Sequence, residues 1–137
     1  MTRDIRPDIK AAFELDFTPF ENIATEREND DFEVPTDGSP YQSIFFLWPR
    51  PENPTMGDGH YRQRGIMQVT LQYPVGEGSG DADKRGGDLR EHYSRGLSLT
   101  RNGVTTVIDE TPEVGSGSKQ GDRYVVVVRV RFYADAF

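Results

Sequence analysis

Residues 61–97 read YRQRGIMQVTLQYPVGEGSGDADKRGGDLREHYSRGL, and the side-chain period changes once within them. Met67, Val69, Leu71 and Tyr73 alternate with Gln68, Thr70 and Gln72. That period of two predicts a strand with one apolar and one wet face. Pro74 ends ladder donation, and Gly76, Gly78 and Gly80 admit a tight reversal through positive φ. Beyond it, Ala82, Gly86, Leu89 and Tyr93 fall on one stripe at helical spacing, with Ser79 or Asp81 available as the cap. Strand, glycine turn and helix therefore follow one another here, in the middle of the chain.

Outward from this unit the chain reads as further short elements. Asp4 to Phe13 predicts a helix with Ile5, Ile9, Ala12 and Phe13 on one stripe and Pro7 in its tolerant first turn. Phe17 to Ile23 reads as a short strand. Glu26 to Pro40 is acidic and rich in turn formers, a loop that Phe32 and Val34 can anchor. Tyr41 to Trp48 predicts a strand that is apolar on both sides, Ile44, Phe46 and Trp48 against Phe45 and Leu47. Such a strand lies centrally or at a subunit contact. Breakers fill residues 49–59. Asn102-Gly103 opens a strand over Val104 to Ile108, and Pro112 to Asp122 is flexible by composition. Arg123 to Tyr133 closes the chain as a strand with Val126, Val128, Val130 and Phe132 on one side and Arg129 and Arg131 on the other.

This order predicts an α+β fold, one domain over residues 1–137: a mainly antiparallel or mixed sheet of four to five strands with two helices packed on one face. The opposite face must meet water or a partner. Gln68, Thr70, Gln72, Arg129 and Arg131 are expected to point that way. Gly86 shares the apolar stripe of the second helix, so close packing on the sheet offsets its helix-weakening effect; Gly87 has no such compensation.

With 137 residues the chain suits one core, and 34% hydrophobic residues make that core thin. No apolar run is long enough to span a membrane, and the charged start MTRDIRPDIK does not resemble a secretion signal. The absence of cysteine removes disulfides and thiolate chemistry and fits a reducing compartment. Residues 1–60 carry 5 basic and 13 acidic side chains, a net −8, whereas residues 61–137 carry 11 basic and 10 acidic, a net +1. A protein that grips nucleic acid shows the reverse balance. The acidic half is either an ordinary solvated surface or one that repels another polyanion.

A search for chemistry finds none. The glycine turn matches neither a dinucleotide nor a P-loop pattern, and Glu77 and Asp81 put carboxylates where phosphate needs positive charge. Asp58 with His60 makes a weak metal pair, read as surface side chains. His92 belongs at the margin of the core. No serine sits in an elbow, and no pair of carboxylates is set apart for acid and base roles. The expectation is no catalytic residue, no metal, no cofactor and no enzymatic activity. A small nucleotide- or metal-dependent enzyme, or an unrelated binding protein of the host, are the readings from other classes.

Four pieces, taken in order, carry a resemblance. An amphipathic N-terminal helix leads to Phe20-Glu21-Asn22; an acidic loop ends in Pro40-Tyr41 ahead of an apolar strand; Tyr61 to Gly80 is a strand with a Pro-Val-Gly-x-Gly turn; the last strand ends Arg131-Phe132-Tyr133-Ala134-Asp135. Over nearly its whole length the chain resembles the tail terminator proteins of long-tailed, lambda-like bacteriophages, departing at Gly86-Gly87. The resemblance implies a non-enzymatic ring, hexameric in that family, that sits on the end of the tail tube, stops its polymerisation and presents a surface to the head-completion or neck protein. The implied partners are copies of the chain, the major tail tube protein and the neck connector, with genomic DNA passing through the lumen without specific binding. The implied location is the tail or neck of the virion, assembled in the host cytoplasm. Another neck or tail-completion protein, or the tube protein itself, is the alternative within that neighbourhood. The residues expected at the contacts are Phe32 and Val34 of the acidic loop, Phe45 and Leu47 of the apolar strand, and Gln68, Thr70 and Gln72. Lys119 of the second loop and the arginines Arg129 and Arg131 complete them.

Overall fold

The structure, a computed structural model, describes residues 3–54 and 59–137. Two helices, α1 (Arg6–Asp16) and α2 (Gly80–His92), lie on one side of a curled mixed sheet. The strands are β1 (Ala24–Glu26), β2 (Tyr41–Leu47), β3 (Tyr61–Pro74), β4 (Ser98–Arg101), β5 (Val104–Ile108), β6 (Glu113–Val114), β7 (Ser118–Gln120) and β8 (Arg123–Ala136). Their order is β1-β2-β3-β8-β5-β4, with β6 and β7 also paired to β8. β1 runs parallel to β2, and every other named pair is antiparallel.

The spine is the β3–β8 pair, in register from Tyr61 opposite Ala136 to Pro74 opposite Arg123. Both strands alternate as expected: Met67, Val69 and Leu71 with Val126, Val128, Val130 and Phe132 are all at most 1% exposed. α1 presents Ile5, Ile9, Phe13 and Phe17 at four-residue intervals, each at most 1% exposed, which is the spacing that stacks side chains along one helix face. α2 adds Ala82, Leu89 and Tyr93. Burial, with the Asp16 carboxylate adding to it, pushes the Tyr93 phenol well above its usual pKa.

Among the described residues the sheet has eight strands, more than the four to five expected. β4 was missed because Ser98–Arg101 is a mostly exposed edge strand with no apolar alternation; the two-residue Asn102-Gly103 turn, both at positive φ, sets its pairing with β5. The segment from Pro112 to Asp122 is not loose. Its β6 and β7 pair with β8 at Val128–Arg129 and at Arg123–Val125, because the long last strand offers a row of unpaired backbone groups beyond the reach of β5. Phe17 to Ile23 is also not a strand. Thr18–Phe20 is a 3₁₀ turn and β1 begins at Ala24. The helix boundaries move too: α1 runs on to Asp16, and α2 starts at Gly80, with Ser79 in the cap position but making no side-chain cap bond.

The two helix glycines separate as the stripe predicts. A Cβ on Gly86 would lie 2.9 Å from Val114 Cγ1 and 3.8 Å from Val128 Cγ2, whereas nothing lies within 4 Å of one on Gly87. Gly87→Ala is therefore expected to raise stability by about 0.5–1 kcal/mol. Gly86→Leu is expected to lower it by about 1–3 kcal/mol as α2 is pushed off β6. Urea denaturation of both variants checks the opposite signs.

Candidate functional site

Side chains alternate across a sheet, so a layer of helices on one side leaves the other face to something else. The register builds that outward face in cross-strand rows. Tyr41, Gln72, Val125 and Ser118 form one; Ser43, Thr70 and Val127 the next; Phe45, Gln68, Arg129 and Glu113 a third; Leu47, Ile66 and Arg131 a fourth; Arg64 pairs with Tyr133 beyond them. Sequence reasoning put Gln68, Thr70, Gln72, Arg129 and Arg131 on one face, and the register places Phe45 and Leu47, expected at contacts, on that face with them. Leu47 is 43% exposed at its margin.

Different structures close the two ends of this face. At one, the acidic loop folds back: the Phe32 ring lies 5.7 Å from that of Tyr41. Arg123 holds the loop by donating to the carbonyls of Pro35 (3.0 Å), Gly38 (3.3 Å) and Ser39 (2.6 Å), with its guanidinium 5.0 Å from the Tyr41 ring. Arg123 is 5% exposed, and Tyr41 and Val125 are buried on a face that is otherwise half open. Val34, on the same loop, stays 51% exposed. Lys119, expected at a contact as part of the second loop, belongs to a strand instead. It is exposed on β7 opposite Tyr124, which puts it on the helix side of the sheet, away from Arg129.

At the other end ion pairs dominate. Arg62 donates to both oxygens of Asp135 at 3.0 Å, and His60 Nε2 lies 3.2 Å from Asp135 Oδ1. The Arg62 hydrogen bond is the main reason that the Asp135 carboxyl titrates below its usual range. Arg64 joins Glu52 (3.0 Å) to Asp109 (2.7 Å). In the middle, one carboxylate serves two arginines: Glu113 lies 3.1 Å from Arg131 and 3.5 Å from Arg129. The β6 strand that carries Glu113 is therefore what orients both, and the trio keeps a net positive charge. These partly exposed pairs contribute little to stability and more to specificity of contact.

Behind the face, a buried polar cluster fixes the connection from α1 to β1. Gln42 is fully buried and donates to the Phe20 carbonyl (2.7 Å) and to Thr25 Oγ1 (2.9 Å). Arg85 of α2 reaches the same Phe20 carbonyl and donates to Asn22 Oδ1 at 2.6 Å. Burial lowers the Arg85 pKa. The Phe20-Glu21-Asn22 segment that stood out in the sequence is thus the piece read by Arg85. At the free edge of β2, the Glu28 carboxylate accepts from the Phe46 N–H at 3.3 Å and pairs with Lys10 at 2.6 Å, which blunts an edge that β1 is too short to cover.

Each histidine sits beside one carboxylate. His60 serves Asp135, and its ring stacks on Phe137 at 4.5 Å; Asp58 lies outside the described residues. His92 Nε2 lies 2.7 Å from Asp16. Among the described residues no three His, Asp or Glu side chains converge as ligands. Arg123, Arg85, Gln42 and Glu113 were missed from sequence. Gln42 left a signal, an amide at the parity of Ile44 and Phe46; the other three left none.

A family model described as phage tail terminator protein matches residues 8–132. A solved structure superposes on 94% of this chain and 94% of its own at a TM-score of 0.71 and 18% sequence identity, a likeness of fold. No curated protein matches the chain.

Proposed function

The chain belongs to the phage tail terminator family and is a structural protein of the virion tail, and from that premise we propose that it closes the tail tube. In this reading copies of the chain assemble into a ring, six-fold as in the resemblance described above, that docks on the last ring of tube protein. One ring face copies the acceptor surface of the tube; the other lacks it, so growth ends there and the neck or head-completion protein finds its seat. Assembly takes place in the host cytoplasm, and no residue performs catalysis. The observation that carries the reading is the outward sheet face: apolar Phe45, Leu47 and Ile66 sit beside oriented arginines with no helix layer over them. A face of that composition is suited to a protein partner.

The net charge of −7 supports a lumen that lets DNA slide, since phosphate affinity requires a basic excess. Negative-stain images of the purified protein test the proposal. Discrete rings of uniform diameter are the expected outcome. Open-ended tubes would identify a tube protein instead, and monomers at high concentration that also leave isolated tail tubes uncapped would remove the proposal.

A further inference from the structure

A closed ring of identical copies needs two different patches that meet head to tail. Resting on the ring reading above, we propose that these patches are the acidic loop of one copy and the groove between α1 and β4 of the next.

The two lie at opposite ends of the strand order, the loop joining β1 to β2 and the groove bounded by edge strand β4. The groove is open, about 710 Å³, and its lining includes Leu15, Pro19, Leu99 and Arg101. Leu15 of α1 is 65% exposed, whereas Ile9, Ala12 and Phe13 of the same helix are buried. Asp16, the carboxylate in the lining, is already engaged by His92 at 2.7 Å. Arg101 and Arg95, the latter in the turn before β4, make no ion pair or hydrogen bond through their guanidinium groups among the described residues.

The loop supplies the complement. Asp30, Asp31 and Glu33 make no ion pair or side-chain hydrogen bond among the described residues, in contrast to Glu26, Glu28 and Asp37 around them, which serve Ser43, Lys10 with the Phe46 N–H, and Ser39. Beside the three free carboxylates stands Val34, half exposed. The loop is also held in shape: Arg123 grips its carbonyls and Phe32 packs on Tyr41, so the segment is presented without a large ordering cost. Three unpaired carboxylates around an aliphatic tip meet one unpaired guanidinium group in the groove, that of Arg101, with a second, that of Arg95, in the turn that leads into β4. Such charge complementarity sets register and selects against wrong partners. It also puts the excess acid of residues 1–60 to use at a contact.

Two charge-reversed proteins test this. One carries Asp30→Lys, Asp31→Lys and Glu33→Lys; the other carries Arg95→Glu and Arg101→Glu. Each alone brings like charges together at the contact and is expected to need a concentration on the order of tenfold higher or more to form rings, read by light scattering and negative stain. Mixed in equal amounts, they restore both contacts in alternation, and rings return at wild-type concentrations. The mixture is decisive because an unfolding effect would not be rescued by a second variant. A mixture that stays monomeric while the wild type forms rings would overturn the inference and leave the ring reading standing. Single variants that form wild-type rings yet fail to cap tubes would also overturn it and assign these patches to the tube protein. A wild type that forms no ring would remove the premise itself.

Discussion

Phe132→Ala is expected to cost about 3–5 kcal/mol of folding stability, a large share of what a domain of this size holds. Phe132 is 1% exposed, and its ring meets Phe13 at 5.0 Å, Trp48 at 5.8 Å and Phe46 at 6.3 Å, so α1, β2 and β8 all lean on one side chain. Directly across the β3–β8 ladder stands Gly65, where a Cβ would run into the Phe132 ring. The outer end of the ring fills the space that a side chain there would take. Gly65→Leu should therefore cost about 1–3 kcal/mol by overpacking. The pair is coupled: Gly65→Leu combined with Phe132→Ala refills part of the cavity and should be less destabilised than the sum of the single changes. Equilibrium denaturation of the four proteins measures that coupling. Additive costs would mean that the glycine and the ring do not share space.

The second large effect is on assembly. Arg129→Glu with Arg131→Glu is expected to abolish productive docking on tail tubes while the monomer stays folded. Both arginines converge on Glu113, so the double reversal places three carboxylates together on the outward face. Part of the loss is then local repulsion that loosens β6. Adding Glu113→Arg separates the two causes, because the triple change rebuilds the pairing within the chain while the outward charge stays reversed. Monomer stability should return with the third change and tube capping should not. Full capping by the triple variant would show that only the fold of β6 mattered and that the face makes no specific contact.

Much of this was legible in the sequence for a physical reason. β3, β8 and β2 each bury one face, and burial enforces strict alternation, so Met67, Val69, Leu71, Val126, Val128 and Phe132 announce their side. The same alternation placed Gln68, Thr70, Arg129 and Arg131 together on the opposite face. Gly86 was readable because a glycine on an apolar helix stripe implies close approach, and Val114 is what approaches. What stayed hidden was held by backbone rather than by side chains. β4, β6 and β7 carry no apolar period because they form by adding hydrogen bonds to an existing edge, and Ser118–Gln120 is exposed at all three residues. Lys119 was read as part of a loose loop; once β7 pairs with β8, its register opposite Tyr124 puts it on the helix side of the sheet. The role of Arg123 was beyond reach as well, since its partners Pro35, Gly38 and Ser39 are carbonyls some 85 residues away that any sequence would supply.

The tail-closing role is tested most directly by the lengths of tubes grown from purified tube protein with increasing amounts of this chain present. Tubes that stop growing and carry a single ring of density at one end are the expected result. Tubes whose length distribution does not change, with the chain still monomeric in the supernatant, would contradict it.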